Sequence, residues 1–114
     1  MPYCIDWEPQ GVYKKYTGQV TGQEFLKAVH TVNVSPNFHA YRYVINDFSD
    51  CTEFDLPGNY SDDALAAAIG AHASNTKFIA AFVARHPDIR NTLEALTEKA
   101  SACLSTGGWA SVFL

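Results

Sequence analysis

Residues able to do chemistry are concentrated between positions 46 and 63, where acidic and aromatic side chains are interleaved. Six of the twelve acidic residues lie there, and no lysine or arginine interrupts them. These acids are Asp47, Asp50, Glu53, Asp55, Asp62 and Asp63. A calcium loop that began at Asp47 would need glycine at its sixth position and glutamate at its twelfth, where the chain has Thr52 and Gly58. The segment therefore predicts no metal site, and its charge disfavours a free phosphate.

Covalent catalysis would need a serine or cysteine beside an oriented base. Ser49 and Cys51 are the candidate nucleophiles in the acidic segment, and the histidines follow no recognisable spacing relative to them. These histidines are His30, His39, His72 and His86. Neighbouring carboxylates are expected to raise the pKa of Cys51 and to make it a poor nucleophile. The sequence therefore predicts no catalytic residue, no cofactor and no enzyme activity.

Composition and charge narrow the class of protein. A chain of 114 residues that is 47% hydrophobic and 18% charged fits one globular domain over residues 1–114. Its net charge of −4 has the wrong sign for a surface that follows phosphates, so we expect no nucleic-acid partner.

Signals for membranes and secretion are weak in this sequence. The longest strongly apolar uncharged run, residues 78–84, is far shorter than the roughly 20 residues of a membrane helix. No signal-peptide pattern is found, and the three cysteines, Cys4, Cys51 and Cys103, form no CxxC pair. We therefore expect a cytoplasmic protein without a membrane span, whose contact with lipid surfaces would be peripheral.

The first elements that must position these residues form a hairpin. Residues 3–8 alternate in polarity, which is typical of a half-buried strand, and residues 12–20 are rich in β-favouring types. A three-residue turn at positions 9–11 would place Lys14 opposite Asp6 as an exposed pair. The sequence therefore predicts two antiparallel strands with Lys14 on the outside.

Helices and buried strands should follow the hairpin. Thr21 and Glu24 form a capping box, so a helix is predicted to begin near Gly22. The apolar runs 41–45 and 78–84 lack alternation, which is typical of parallel strands covered by helices on both faces.

The remaining segments are a loop, two helices and a final strand. A long loop is predicted over residues 46–60, followed by an alanine-rich helix over 61–74. Another helix should begin at Pro87, and residues 109–114 should form a last strand. The order predicts a single α/β domain with a mixed sheet of about five strands. Its first hairpin is antiparallel, the rest is parallel, and helices pack on both faces.

Three segments carry a resemblance to a known family. They are Ile5–Glu8, the stretch GQVTGQEF at 18–25 and the stretch RYVINDFSDCTEFD at 42–55. With the order of elements, they resemble the STAS-type fold of anti-sigma-factor antagonists, and more closely its bacterial SpoIIAA-like offshoot. That fold is similar to CRAL-TRIO lipid carriers. The resemblance therefore implies a small apolar or lipid-like ligand and no enzyme activity.

The resemblance also implies an alternative role in regulated protein interaction. Antagonists of this type are phosphorylated on a serine near the segment after the third strand, where this chain has Ser49 and Thr52. The family usually adds a helix after its last strand, whereas this sequence stops at Leu114. Without that closing helix, and with only small side chains on the alanine-rich helix, the domain is expected to form a homodimer.

The ligand site is expected where strands meet loops. In open α/β sheets, ligands bind beyond the carboxyl ends of the parallel strands, here at loops 18–23, 46–60 and 85–88. An ion pair of Arg85 with Asp47 is predicted at that edge. The candidate ligand-binding residues are Phe48, Phe54, Leu56, Tyr60, Asp47, Arg85 and His86.

Two functions remain open at this point. The first is a non-catalytic SpoIIAA-like domain that binds a small apolar or lipid-like ligand under a flap formed by residues 46–60. The second is a STAS-type protein-interaction module, switched by phosphorylation at Ser49 or Thr52. For the aromatic residues of the flap, the alternative to lining a pocket is that they only anchor the flap to the core.

Overall fold

The computed structural model describes residues 3–75, 77–103 and 109–113, and it shows the α/β fold that the sequence predicts. Five strands and three α-helices follow one another, with a short 3-10 helix before the third strand. The strands are β1 (Tyr3–Glu8), β2 (Gly11–Thr21), β3 (Tyr43–Asp55), β4 (Ile79–Ala84) and β5 (Trp109–Phe113). The helices are α1 (Gly22–Asn33), α2 (Gly58–Ser74) and α3 (Pro87–Cys103), and the 3-10 helix is Phe38–Ala40.

The strands lie in the sheet in the order in which they occur along the chain. β1 is antiparallel to β2, and each later strand is parallel to the one before it. Helix α2 packs against both α1 and α3, so the three helices form one layer. The prediction of helices on both faces is therefore wrong. Covering both faces would require the strand order to reverse within the sheet, and here it never does.

A single helix layer leaves one face of the sheet buried and the other open. Val12, Val44 and Ala80 lie side by side in neighbouring strands, and all three are buried under the helices. Ile79, one residue earlier than Ala80, lies on the opposite face and is half exposed. Buried and more exposed side chains therefore alternate along β3 and β4, although the apolar composition of both strands hides this alternation in the sequence.

The hairpin turn is one residue shorter than predicted, and this difference changes the position of Lys14. Its turn has two residues, Pro9 and Gln10, so Lys14 pairs with Ile5 rather than with Asp6. Side chains alternate along a strand, and a shift of one residue therefore moves Lys14 to the other face of the sheet. Lys14 is thus buried under the helices instead of exposed.

The predicted loop over residues 46–60 is also wrong. β3 continues to Asp55 and pairs with β2 along almost its whole length, with register shifts between Lys15 and Thr17 and between Gly18 and Gln19. Gly18 has a φ of 66°, a conformation that glycine adopts without strain and that lets β2 follow its irregular partner. Acidic residues on the outward positions of β3 explain why this strand resembles a loop in the sequence.

The connections around these strands are shorter than expected. Helix α1 begins directly after β2, with the predicted capping box: the backbone N–H of Glu24 donates to Thr21 Oγ1 at 3.1 Å, and the N–H of Thr21 donates to Glu24 Oε1 at 2.9 Å. Helix α2 begins at Gly58 after Pro57, three residues before the predicted start at Ser61. No flap is therefore formed by residues 46–60, and residues 18–23 are not a loop.

Candidate functional site

The aromatic residues of the predicted flap belong to the core. Phe48 is fully buried and stacks on Tyr16, with ring centroids 4.2 Å apart and planes 7° from parallel. Phe54 meets the edge of Phe25 at 5.4 Å. Leu56 packs against the same core. These side chains fill the space beneath β3, so no ligand pocket lies between them and a flap.

The polar candidates form no hydrogen-bonded or ion-paired cluster within the described residues. Asp47 accepts hydrogen bonds from the hydroxyl of Tyr13 and, at 2.9 Å, from the backbone N–H of Ser49. Arg85 and His86 are both exposed after β4, and no ion pair joins Arg85 to Asp47 in the part of the chain that the structure describes. The predicted ion pair is therefore wrong, because Asp47 lies mid-strand on the open face and Arg85 follows the end of β4.

The remaining candidates lie on β3 and at the start of α2. Ser49 is half-buried and Thr52 is exposed, both on β3. The thiol of Cys51 is buried and donates to the carbonyl oxygen of Glu53 at 3.3 Å. Burial raises the pKa of Cys51, so the predicted direction holds although the main cause is desolvation rather than nearby acids. Tyr60 packs against Gly22, where a Cβ atom would come within 2.8 Å of its ring.

A different site lies between the sheet and helices α1 and α2. A cavity of about 40 Å³ opens there, and α2 supplies only alanines to its lining: Ala64, Ala67, Ala68 and Ala71. Helix α2 packs mainly on its neighbouring helices and makes few contacts with the sheet. Because methyl groups are too short to fill the gap that results, an empty volume remains above β3 and β4.

Lys14 lines this cavity from β2 and is the one buried lysine or arginine among the residues that the structure describes. Its side chain is 2% exposed, and no acceptor or acidic group within the described residues partners its amine. None of the other residues that line the cavity is titratable. Burial alone lowers the pKa of Lys14 from 10.5 to about 7, since desolvation disfavours the charged form. A substantial share of the Lys14 amines is therefore neutral near pH 7.

Two asparagines complete the polar part of the cavity. Asn46 lies beside Lys14 in the sheet, and its Oδ1 accepts a hydrogen bond from the hydroxyl of Tyr16 at 3.4 Å. Its amide N–H groups remain as donors at the cavity. Asn33 of α1 donates to the carbonyl oxygen of Ala67 at 3.5 Å, which ties the two helices together at this site. The cavity thus offers an amine and an amide within otherwise apolar walls.

Sequence reasoning placed this lysine on the wrong face, although a signal was present. Val12, Lys14 and Tyr16 occupy alternate positions of β2, and both flanking residues are large and apolar. That alternation indicates a shared buried face for all three side chains. The assumed turn length concealed it.

Comparison with known proteins finds no matching family model, no matching curated protein and no matching solved structure. The resemblance to SpoIIAA-like proteins therefore stays a prediction from the three segments that carry it. No helix within residues 3–75, 77–103 and 109–113 is long and apolar enough to cross a membrane. Within those ranges, no cluster of three or more His, Cys, Asp or Glu side chains could hold a metal ion.

Proposed function

We propose that this protein is a non-catalytic binding domain for a small ligand with a mostly apolar surface, held in the cavity between the sheet and helices α1 and α2. The ligand class is the one that the family resemblance implies, but the site differs from the one predicted. One observation carries the proposal: Lys14 is buried beside Asn46 at the wall of a space that the protein leaves empty, with no ion pair or hydrogen bond from its amine within the described residues. A buried polar group without a partner costs stability, and a bound ligand would supply the missing interaction.

The volume limits the ligand. A buried water needs roughly 10–15 Å³ by the same measure, so about 40 Å³ holds about three waters or a ligand of a few heavy atoms. A lipid chain would fit only if α2 moved away from the sheet. Helix α2 is the element best suited to move, because alanines give it few apolar contacts and Gly70 lowers its intrinsic stability by roughly 1 kcal/mol.

The polar groups favour a ligand with one acceptor at its end. A short-chain carboxylate would place its oxygens on Lys14 and Asn46 and its alkyl part against the alanines of α2 and Val29 of α1. The ion pair would hold Lys14 in its charged form, so binding near pH 8 should be accompanied by uptake of a proton.

Backbone-amide NMR with a series of carboxylates tests this proposal. Acetate, propionate, butyrate and hexanoate would be titrated into the labelled protein, and the signals of β2, β3 and α2 followed. We expect saturable shifts that are strongest for the ligands of two to four carbons. Absence of saturable shifts for the whole series would contradict the proposal.

A matched pair of variants on α2 supplies the control. Ala68 lines the cavity and is buried, whereas Ala66 is exposed on the same helix. Ala68→Leu should fill the cavity and abolish the shifts, and Ala66→Leu should bind like the wild type. Equal binding by both variants would place the ligand elsewhere and overturn the proposed site.

A protein-interaction role is the second candidate, and the open face of the sheet favours it. Ile79 is 50% exposed there, and Ile45 and Val83 lie half-buried on the same face. The predicted homodimer belongs to this alternative and is tested by sedimentation of the wild type and of Ile79→Asp. A dimer that dissociates in the variant supports an interaction role, and a monomer at all concentrations counts against the homodimer. If phosphorylation controls this association, the variants Ser49→Asp and Thr52→Asp should change it and should leave carboxylate binding unchanged.

A further inference from the structure

We propose that Lys14 captures small carbonyl compounds, aldehydes above all, by forming an imine inside the cavity. This inference rests on the proposed function, since it assigns a reactive ligand class to the same cavity. It goes further because it makes Lys14 a covalent attachment point rather than a polar contact.

The surroundings of Lys14 meet the requirements of imine chemistry. A lysine attacks a carbonyl only through its neutral amine, which apolar surroundings and the absence of a nearby carboxylate both favour. Within the described part of the chain, the Lys14 amine has neither an ion pair nor a hydrogen bond, and its side chain is 98% buried. Burial also brings its pKa to about 7, so a large share of the nucleophile is present at neutral pH.

Asn46 is positioned to assist the addition. Its Oδ1 accepts from the Tyr16 hydroxyl, so its amide N–H groups are the donors left at the cavity. Such a donor would stabilise the negative charge that develops on the carbonyl oxygen as the amine attacks. The cavity thus holds a nucleophile and a hydrogen-bond donor from neighbouring strands.

The reaction balances without a further reagent. The lone pair of the Lys14 nitrogen forms a bond to the carbonyl carbon, the π electrons move to the oxygen, and a proton passes from nitrogen to oxygen. The resulting carbinolamine loses its hydroxyl group together with the second N–H proton as water. A C=N bond remains, nothing is oxidised or reduced, and addition of water reverses the capture.

Lys15 provides a matched control within the same strand. Its amine lies on the open face and forms an ion pair with Asp50 at 2.9 Å. This contact raises the pKa of Lys15, so its amine stays protonated at neutral pH. A lysine with the ordinary pKa of about 10.5 is less than about 0.1% neutral at pH 7. Lower nucleophilicity of the Lys14 amine offsets part of this advantage, and we expect at least about a tenfold preference for Lys14 over Lys15.

Reductive trapping tests the inference. The folded protein would be incubated at pH 7 with acetaldehyde and cyanoborohydride, and the adducts located by intact-mass and peptide fragmentation measurements. The first adduct should lie on Lys14, and Lys14→Met should lose it. Labelling that follows the exposure of the lysines, or that spares Lys14, would overturn the inference.

Variants at the cavity and a larger aldehyde test whether the reaction takes place inside the cavity. Ala68→Leu should suppress the Lys14 adduct at least about tenfold while Lys15 labelling stays unchanged, and Ala66→Leu should label like the wild type. Benzaldehyde, which is too large for the cavity, should lose the preference for Lys14. Undiminished trapping of Lys14 in Ala68→Leu would contradict capture inside the cavity.

The carboxylate titration separates this inference from the proposed function. Saturable carboxylate binding without a Lys14 adduct would overturn imine formation and leave the binding site standing. Trapping of Lys14 without carboxylate binding would support imine formation and overturn the proposed carboxylate binding. Failure of both measurements would overturn both proposals.

Discussion

The layer between the sheet and the helices has two halves that are built in opposite ways. At the aromatic end, the rings of Tyr16, Phe25, Phe48 and Phe54 pack together, with centroids of contacting rings 4.2 to 6.0 Å apart. At the alanine end, α2 covers β3 and β4 with methyl groups and leaves a cavity. The buried side chain of Lys14 lies at this thinly covered end. His72 of α2, whose two ring nitrogens are buried without a hydrogen-bond partner among the described residues, lies near it.

From this difference we infer that the aromatic end stabilises the fold and that the alanine end holds the ligand site. Stacked and edge-on rings bury large apolar areas and leave no room for a ligand. Unpartnered polar groups and an empty volume both lower the stability of the fold. The fold tolerates this loss at the alanine end because packing at the aromatic end contributes a large stabilisation. Substitutions in the two halves should therefore have different consequences.

The largest effect is expected for Phe48→Ala at the aromatic end. The ring is fully buried and contacts Tyr16, Phe25 and Phe54, so its removal leaves a large void. We expect the free energy of unfolding to fall by about 3–5 kcal/mol, measured by urea denaturation. A loss below about 1 kcal/mol would show that the aromatic end does not carry the stability of the fold.

The next effect concerns Lys14→Met and depends on pH. The folded-state pKa of Lys14, about 7, lies below its unfolded value of 10.5, so the unfolded chain binds more protons above pH 7. The wild type should therefore gain about 2 kcal/mol of stability between pH 7 and pH 9. Lys14→Met should abolish this gain, and the exposed control Lys15→Met should retain it. The same pH slope in Lys14→Met and the wild type would contradict a buried, unpartnered amine.

A smaller difference in stability is expected between leucine substitutions at two alanines that face the same layer. Ala28 is fully buried in the core at α1, so Ala28→Leu should cost about 1–3 kcal/mol through overpacking. Ala68→Leu should change the stability by less than about 1 kcal/mol, because the cavity receives the added carbons. Thermal unfolding of both variants measures the contrast. Equal losses would mean that no usable space exists beneath α2.

The smallest effect is expected at His72. Its ring stacks on Phe78 at 4.2 Å, and both ring nitrogens are buried without a hydrogen-bond partner among the described residues. Burial lowers the pKa of His72, so stability should be lost as the pH falls below 6.5 and the unfolded chain takes up the proton. His72→Phe should lose less stability in acid than the wild type. An unchanged acid response in His72→Phe would show that His72 finds a partner in solution.

Local signals in the sequence predict most of the elements correctly. The capping box of Thr21 and Glu24 marks the start of α1, and Pro87 marks the start of α3, because these signals act within a few residues. The parallel strands and the antiparallel hairpin also agree with the structure. These features depend on residue types and spacing alone.

The candidate site depends on long-range pairing and could not be predicted in the same way. A turn one residue shorter than assumed moves Lys14 into the core, and pairing with β2 turns the acidic segment around Asp47 into a strand. The cavity arises from how far α2 lies from the sheet, which no local pattern specifies. The alternation of Val12, Lys14 and Tyr16 indicates the burial of Lys14, but the assumed three-residue turn predicts the opposite face.

The pH titration of the Lys14 amine tests whether that amine is buried and unpaired. Lysine side chains labelled with ¹³C at the ε position would be titrated by NMR, with Lys14→Met used to assign the critical signal. We predict that Lys14, one of the five lysines, titrates near pH 7, well below Lys15, whose ion pair with Asp50 raises its pKa. Titration of Lys14 near the ordinary lysine pKa of about 10.5 would contradict the buried amine, and with it the ligand site and the proposed imine.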